Sequence, residues 1–265
     1  MSAPTILQKI ADERRGDVAR LQQEVSLKEL QKIAEATPAP RGRFKQALQQ
    51  DGLSLIAEVK RASPSKGRIA DIPAPVDLAK AYADGGASAI SVLTEPRHFL
   101  GSEEDLRAVA KASGLPVLRK DFIIDPYMIW EARAWGASAC LLIVALLPTV
   151  EELAPLLQEA KRAGLDVLVE THDAEEVNVA VKAGADIIGV NHRNLHTFEV
   201  DITLFERLRP LMGDGIVTVA ESGILDPQTA RQMQNAGADA ILVGEYLARA
   251  SDPAQTARAL IGGIP

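Results

Sequence analysis

Short apolar runs recur along the chain and alternate with longer stretches in which apolar residues return every three or four positions. The short runs have the length of buried strands, whereas the longer stretches have the period of amphipathic helices. Helical patterns separate each predicted strand from the next, which is typical of a parallel sheet covered by helices. The eight predicted strands cover residues 54–59, 88–93, 116–119, 138–144, 166–170, 186–190, 216–220 and 239–243.

A short repeat marks the points at which helices give way to strands. It reads Gly-Ala, then Ser or Asp, then two apolar residues, and it begins at Gly86, Gly136, Gly184 and Gly237. Glycine suits a helix end because the chain there often needs a positive φ, at which a Cβ atom is unfavourable. Aspartate-proline pairs predict helix starts, since aspartate can cap a helix whose first residue is proline. These pairs lie at 125–126, 226–227 and 252–253.

Two architectures fit strands and helices in this order. A (β/α)8 barrel takes about 250 residues, close to the length of this chain. A doubly wound sheet usually carries a glycine-rich nucleotide turn after its first strand, and neither GxGxxG nor GxxxxGK[ST] occurs here. We therefore expect an α/β fold of the (β/α)8, or TIM-barrel, class, with the barrel formed by residues 51–265.

Residues 1–50 precede the first predicted strand and have a helical pattern of their own. Apolar positions from Ile6 to Val25 predict an amphipathic helix, and a second helix is predicted over 27–36. We expect this N-terminal helical extension to pack on the barrel. A coiled-coil seam in a dimer is the alternative, although the apolar repeat is short for one.

Composition and charge exclude several classes of function. The apolar share of 47% and the charged share of 25% are ordinary for a globular domain. A net charge of −7 argues against a partner nucleic acid or membrane surface. The single Cys140 cannot form an intramolecular disulfide, and charges interrupt the N-terminal apolar residues where a signal peptide would need a core. We expect a cytoplasmic protein, either a monomer or a weak homodimer.

Several predicted strands end on charged or hydrogen-bonding residues. A buried charge is unfavourable unless it is paired or used. In a (β/α)8 barrel the carboxyl ends of the strands surround one mouth, where the active site lies. An ion pair between strand ends would explain any one of these residues, but a purely structural mouth has no need of so many. The set contains Glu58, Lys60, Lys120, Glu170, Asn191, Arg193, Glu221 and Ser222.

Two glycine-containing turns predict a phosphate site. Gly223 follows the seventh strand, and Gly244 follows the eighth and precedes a short helical stretch. Glycines let backbone N–H groups approach an anion, and a helix N-terminus adds partial positive charge. Ser63 and Ser65 could add hydroxyl donors. The alternative is that these glycines only form turns, but both loops lie where such barrels usually bind phosphate.

The remaining candidates concern metals and aromatic ligands. His192 and His196 are four residues apart, but their segment is predicted to be a loop without a third ligand, so we expect no metal. Phe99 and Phe122 follow strand ends, where aromatic side chains favour a flat apolar ligand.

These motifs together resemble the indole-3-glycerol phosphate synthase family along the whole chain. The matching segments are IAEVKRASPS (56–65), FLGS (99–102), LRKDFIID (118–125), VETHD (169–173), GVNHRNL (189–195) and AESGI (220–224). The resemblance implies a carbon–carbon lyase that closes the indole ring of 1-(2-carboxyphenylamino)-1-deoxyribulose 5-phosphate and releases carbon dioxide and water. It implies no cofactor, and a small sugar-phosphate/anthranilate substrate as a partner.

The resemblance also implies roles for the residues at the mouth. Lys120 would be the general acid that protonates the ribulose carbonyl oxygen, and Glu170 would be the acid/base group of the dehydration. Lys60 and Arg193 would pair with the substrate carboxylate, with Glu58 positioning Lys60. Asn191, Glu221 and Ser222 would hold hydroxyls or developing charge, and the phosphate would bind at Ser63, Gly223 and Gly244. The benzene ring would contact Phe99, Phe122, Leu141, Ile143 and Leu195, and Pro64 would also line the substrate site.

Three other functions fit a phosphate-binding barrel. A phosphoribosylanthranilate isomerase-like enzyme would use a Cys/Asp or Asp/Asp pair, whereas the first strand here supplies Glu and Lys, and Cys140 lies inside the fourth. A Schiff-base aldolase would use Lys60 or Lys120 as its nucleophile. A non-catalytic sugar-phosphate binding protein would not need both Lys120 and Glu170. Which of the two lysines is the dominant acid is left open by the sequence.

Overall fold

Eight parallel strands form a closed barrel in the computed structural model, which describes residues 5–195 and 197–262. The first and last strands pair with each other and close the sheet. The predicted barrel class is confirmed, and each end of every strand lies within one residue of its predicted position. The strands are β1 (Ser54–Val59), β2 (Ala89–Leu93), β3 (Val117–Lys120), β4 (Ala139–Ile143), β5 (Asp166–Thr171), β6 (Ile187–Asn191), β7 (Val217–Glu221) and β8 (Ala240–Val243).

Helices precede the barrel and separate its strands. Two single turns of 3₁₀ helix, Val144–Leu146 and Arg209–Leu211, and a small hairpin that pairs Ala62–Ser63 with Gly67–Arg68 complete the elements. The α-helices are α1 (Ile6–Glu24), α2 (Leu27–Glu35), α3 (Arg43–Leu48), α4 (Pro75–Asp84), α5 (Glu103–Ala112), α6 (Pro126–Ala134), α7 (Val150–Ala163), α8 (Ala174–Ala183), α9 (Leu204–Leu208), α10 (Pro227–Asn235), α11 (Glu245–Ala248) and α12 (Pro253–Leu260).

The helix ends follow the local chemistry of the sequence. The side chain of Asp226 accepts a hydrogen bond from the Thr229 N–H, and Asp125 and Asp252 cap α6 and α12 in the same way. The glycines of the repeat all have positive φ, with values of 87°, 91°, 86° and 90° at Gly86, Gly136, Gly184 and Gly237. A Cβ atom is unfavourable in that conformation, so the repeat marks turns that only glycine adopts without strain.

The amino-terminal end of the barrel is closed by α3. Phe44 and Leu48 are fully buried in the same apolar cluster as the inward-facing residues of the strands. The Asp166 carboxylate, at the start of β5, accepts the backbone N–H groups of Phe44 and Lys45, each at 2.9 Å. Water is therefore kept from this end, and the polar side chains of the barrel interior gather at the other one.

The first helix of the extension reaches the opposite, carboxyl-terminal end of the barrel. Arg14 pairs with Asp121, just beyond β3, at 3.1 Å. Asp17 accepts two hydrogen bonds of 2.7 Å from the Arg97 guanidinium, in the loop after β2. The helices that precede β1 thus contact both ends of the barrel. None of the described helices combines the length and the apolar composition that crossing a bilayer requires.

Arg119 is a fully buried charge between β3 and α6. Its guanidinium contacts Asp121 at 3.0 Å and Glu131 at 3.1 Å, and it lies 4.0 Å from the centre of the Trp135 ring. Because side chains alternate along a strand, Arg119 points out of the barrel while Lys120 points into it. This network therefore fixes the strand that carries Lys120 from its outer face.

Arg119→Leu should lower the free energy of unfolding by about 3–5 kcal/mol, because it leaves Glu131 buried without its cation and removes one of two cations from Asp121. Urea-induced unfolding measures the change. The matched control is Arg107→Leu on α5, where the exposed side chain pairs with Glu103. Such a surface pair is worth about 1 kcal/mol or less. Equal losses in the two variants would contradict the importance given to the buried network.

Candidate active site

A cavity of about 530 Å³ opens at the carboxyl ends of the strands, and every strand or the loop after it contributes to its lining. All of the residues predicted to form the catalytic and substrate-binding site lie around it. They are Glu58, Lys60, Ser63, Pro64, Phe99, Lys120, Phe122, Leu141, Ile143, Glu170, Asn191, Arg193, Leu195, Glu221, Ser222, Gly223 and Gly244. The barrel thus brings together side chains that are up to 186 positions apart in the chain, from Glu58 to Gly244.

Lys120 is the cation at the centre of the site, and its side chain is largely shielded from solvent. Its Nζ donates to Glu170 Oε2 at 3.0 Å and lies 3.3 Å from Glu221 Oε2. Burial by itself would lower the pKa of Lys120, but the carboxylates of Glu170, Glu221 and Glu58 outweigh it and hold the pKa well above its ordinary value. Lys120 therefore carries a proton at neutral pH and can donate it inside the barrel.

Glu170 is held as a carboxylate by hydrogen-bond donors on both of its oxygens. Oε2 faces Lys120, while Oε1 accepts from Asn191 Nδ2 at 3.1 Å and lies 3.3 Å from His172 Nε2. Burial would raise the pKa of Glu170, but Lys120 and then His172 and Asn191 lower it well below the usual range for glutamate. Glu170 is therefore ionised and can accept a proton.

Glu221 shares Lys120 with Glu170 but lies in a different environment. Its Oε1 is buried and has no hydrogen-bond partner among the described residues. Burial raises the pKa of Glu221, and the neighbouring charges of Glu170 and Glu58 add to this effect against the opposing effect of Lys120. Two carboxyl groups whose surroundings move their pKa values apart around one ammonium are typical of acid–base sites.

Two glycines make room for these carboxylates. A Cβ atom at Gly189 in β6 would overlap Glu221 Oε1, and one at Gly244 would lie 2.5 Å from Glu58 Oε1. Both glycines are therefore needed because the backbone of one strand approaches the side chain of the next. For Gly244, which was predicted to bind phosphate, this close approach is a second reason for the absence of a side chain.

Glu58 and Lys60 lie next to each other at the end of β1. Lys60 Nζ is 3.4 Å from Glu58 Oε1 and 5.5 Å from the centre of the Phe99 ring. The other oxygen of Glu58 accepts from Ser91 Oγ at 3.3 Å. The Lys60 side chain is 24% exposed, against 14% for Lys120, so Lys60 lies nearer the solvent and Lys120 deeper in the barrel.

Phe99 and Phe122 form the aromatic part of the wall, with their ring centres 5.7 Å apart. The Glu95 carboxylate accepts three backbone N–H groups, those of Arg97, His98 and Phe99, and so fixes the loop that carries Phe99. Leu141, Ile143 and Leu195 continue the apolar lining. This side of the cavity suits a flat apolar ring.

Gly223, Gly244 and Ser63 line the same cavity, in the loops after β7, β8 and β1. Gly223 has a φ of 75°, and Ser222 before it has a φ of 66°, which is uncommon for a residue with a side chain. Gly244 directly precedes α11, the short helix predicted after the last strand. Backbone N–H groups and one hydroxyl are thus available for an anion.

Of the two histidines four residues apart in the sequence, the structure describes His192. His192 is buried, and its Nδ1 donates to the Ser222 carbonyl at 2.8 Å, so it holds the turn after β7. Burial lowers the pKa of His192. His196 lies outside the described residues, and the expectation that the pair binds no metal stays a prediction.

Two polar partners of the site residues were missed in the sequence. Ser91 carries no motif, and only the pairing of β1 with β2 places its hydroxyl beside Glu58. His172 belongs to the segment VETHD, but its contact with Glu170 depends on how the chain turns after β5. The one available signal was a histidine directly beyond a strand end, two residues after Glu170.

Comparison with known proteins identifies related chains over nearly the full length. The sequence profile described as Indole-3-glycerol phosphate synthase matches residues 7–260. The chain is 49% identical over 255 residues to the protein of that name from Mycolicibacterium smegmatis, covering 96% of this chain and 92% of the relative. It is 50% identical over 252 residues to Indole-3-glycerol phosphate synthase 2 of Streptomyces coelicolor, covering 95% of this chain and 96% of the relative.

Solved structures of other proteins share the fold. A 3-hexulose-6-phosphate synthase superposes with a TM-score of 0.62 at 18% identity, covering 80% of this chain and 100% of the other. A thiamine phosphate pyrophosphorylase from Pyrococcus furiosus has a TM-score of 0.60 at 18% identity, covering 78% of this chain and 93% of the other. At this level of identity the likeness concerns the barrel alone.

Gly189→Ala should lower the free energy of unfolding by about 1–3 kcal/mol, because the added methyl displaces the Glu221 carboxylate. Urea-induced unfolding measures it. Gly16→Ala in α1 is the control, since nothing lies within 4 Å of a Cβ there. Adding Glu221→Ala should remove most of the loss at Gly189, because the displaced group is then gone. Strictly additive losses in the double variant would contradict the close approach of the two residues.

Proposed function

The chain belongs to the indole-3-glycerol phosphate synthase family, and from that premise we propose that its barrel mouth closes the indole ring of 1-(2-carboxyphenylamino)-1-deoxyribulose 5-phosphate. The reaction forms one carbon–carbon bond, releases carbon dioxide and water, and yields indole-3-glycerol phosphate. The observation that carries the proposal is the ammonium of Lys120 between the buried carboxyl groups of Glu170 and Glu221, which combines a proton donor with a proton acceptor in one site.

The substrate carries a carboxylate, a benzene ring and a phosphate, and the cavity offers a matching region for each. Lys60 and Arg193 bind the carboxylate, with Glu58 holding Lys60 in place. The ring lies against the apolar wall that includes Phe99 and Phe122. Three loops bind the phosphate, through Ser63, Gly223 and Gly244, while Leu141, Ile143, Leu195 and Pro64 complete the lining.

Ring closure is the step for which Lys120 is needed. The aromatic carbon attacks the ribulose carbonyl, the C=O double bond opens, and the oxygen takes a proton from Lys120 Nζ. The negative charge on that oxygen forms in a site shielded from water, where a fixed ammonium stabilises it far more than it would in solution. Lys120 suits this role because its carboxylate neighbours keep it protonated and its burial keeps it in place.

Decarboxylation and dehydration restore the aromatic system. The bond to the carboxylate breaks, carbon dioxide leaves, and its electron pair returns to the ring. Glu170, which its donors keep ionised, then takes a proton from a carbon atom and passes it to the new hydroxyl, which leaves as water. Asn191, Glu221 and Ser222 contact the substrate hydroxyls and the developing charge during these steps.

The rival functions fit the geometry less well. A Schiff-base nucleophile must be an unprotonated amine, and the surroundings of Lys120 keep it protonated. Cys140 is buried in the apolar layer between the barrel and its helices, and burial raises its pKa to about 12, so it cannot act as the base of an isomerase.

Because the proposed mechanism forms no Schiff base, borohydride added during turnover should leave no adduct on Lys60 or Lys120.

The cellular location, the oligomeric state and the division into domains follow from the sequence and stay predictions. We place the enzyme in the cytoplasm, as a monomer or weak homodimer that binds neither nucleic acid nor membranes. Residues 1–50 form the extension, and residues 51–265 form the catalytic barrel.

The proposed activity is tested by adding the carboxyphenylamino-deoxyribulose phosphate and monitoring its turnover through the increase in indole absorbance. Absence of turnover by well-folded protein would contradict it.

Lys120→Met should lower the turnover number by about 10³-fold or more, because it removes the proton donor for ring closure. Binding of the product, measured by calorimetry, should remain, since the phosphate contacts are untouched. Lys111→Met on the exposed face of α5 is the control and should retain full activity. An active Lys120→Met variant would contradict this assignment and favour Lys60 as the acid.

A further inference from the structure

His172 is a partly buried histidine that contacts the site but does not line it. It follows β5 directly, its side chain is 12% exposed, and its Nε2 atom is buried. That Nε2 lies 3.3 Å from Glu170 Oε1, in an ion-pair contact without the alignment of a full hydrogen bond. Because His172 is absent from the cavity lining, it can act on the substrate only through Glu170.

Glu176 holds His172 from the other side. One carboxylate oxygen of Glu176 accepts both the His172 backbone N–H at 2.7 Å and the ring Nδ1 at 3.0 Å. Glu176 is fixed in turn, because it lies in the first turn of α8 and its N–H donates to Asp173, the residue that caps this helix. The imidazole therefore lies between two carboxylates, one in the site and one near the surface.

We propose that His172, kept as a cation by Glu176, is a positioning residue that holds Glu170 ionised and correctly oriented for its proton transfer. The inference rests on the proposed function, since it gives Glu170 a task in that reaction. The Glu176 carboxylate orients the imidazolium ring of His172, and that ring in turn orients the Glu170 carboxylate that reacts.

The charges around the pair favour the imidazolium. Burial would lower the pKa of His172, but the close contact with the charged Glu170, together with the hydrogen bond and the charge of Glu176, outweighs it and raises the pKa to about 10. The groups that face Glu170 from the other strands are Lys120 on β3, Asn191 on β6 and, across Lys120, Glu221 on β7 and Glu58 on β1. β4 presents the apolar Ile143 beside it.

The sign of the pH effect follows from these contacts. The folded protein stabilises the cationic form of His172. The effect of this cation on Glu170 is therefore present below the raised pKa of His172 and is lost as the pH rises through that value. Removing the charge of Glu176 should bring the pKa of His172 down towards the ordinary value for histidine. Glu170 should then lose its cationic neighbour at a pH where the native enzyme still has it.

The test is the pH dependence of kcat/KM for Glu176→Gln, which keeps the shape and the acceptor oxygen but removes the charge. We expect kcat/KM of this variant to fall by about 10-fold between about pH 6 and pH 9 relative to the native enzyme. Glu175→Gln is the matched control: it removes the same charge from the same helix turn, but this exposed residue does not contact His172, so its profile should follow the native one.

Histidine ¹⁵N NMR supplies a readout that does not depend on activity. The chain has four histidines, and the His172 signals are assigned by their loss in His172→Gln. Both ring nitrogens of His172 should remain protonated to about pH 9 in the native protein and lose a proton at least about one pH unit earlier in Glu176→Gln. The midpoint of that titration should coincide with the fall in kcat/KM.

The outcomes separate the two proposals. A native protein that does not turn over the substrate would overturn the proposed function, and the role of His172 with it. If the native protein is active but the profile of Glu176→Gln parallels the control, or His172 is neutral at pH 7 in the native protein, only the role of His172 is overturned. Adding Glu176→Gln to His172→Gln should change kcat/KM no further, and a further loss would also contradict it.

Discussion

The ammonium of Lys120, shared between Glu170 and Glu221 inside a closed barrel, is the interaction on which the rest of the site depends. One cation between two buried carboxylates is tolerable only while all three remain in contact, since any one alone would be a buried unpaired charge. The closed sheet provides this arrangement because its strands cannot move apart independently. The same contacts decide the chemistry, since they keep Lys120 protonated and Glu170 ionised.

The strand that carries Lys120 is fixed from its outer face. Arg119, the preceding residue, points outward into a fully buried network with Asp121 and Glu131. Asp121, the following residue, is also held by Arg14 from the first helix of the extension. The extension therefore does more than cover the barrel surface, because one of its side chains reaches the residue next to the proposed general acid. Stability and catalysis share these three consecutive positions.

The sequence predicted the barrel, its strand positions and the side chains around its mouth, because each rests on a local signal. Strand period, glycine at helix ends and polar residues at strand ends are all visible within a few residues. Ser91, Gly189 and Glu176 have no such signal: each matters through a neighbouring strand, or through the turn after β5, and such contacts depend on three-dimensional register. The opposite pKa shifts of Glu170 and Glu221 could not be predicted either, because they depend on burial and on the charges and donors that the fold places beside each carboxyl group.

The central claim is that Lys120, the deeper of two lysines, protonates the carbonyl oxygen, while Lys60 binds the carboxylate. A crystal structure with a substrate analogue whose carbonyl is reduced to a hydroxyl tests this division directly. The account predicts Lys120 Nζ within about 3 Å of that hydroxyl and Lys60 Nζ at the carboxylate. The reverse arrangement, with Lys60 on the hydroxyl and Lys120 still bound only to Glu170 and Glu221, would contradict it.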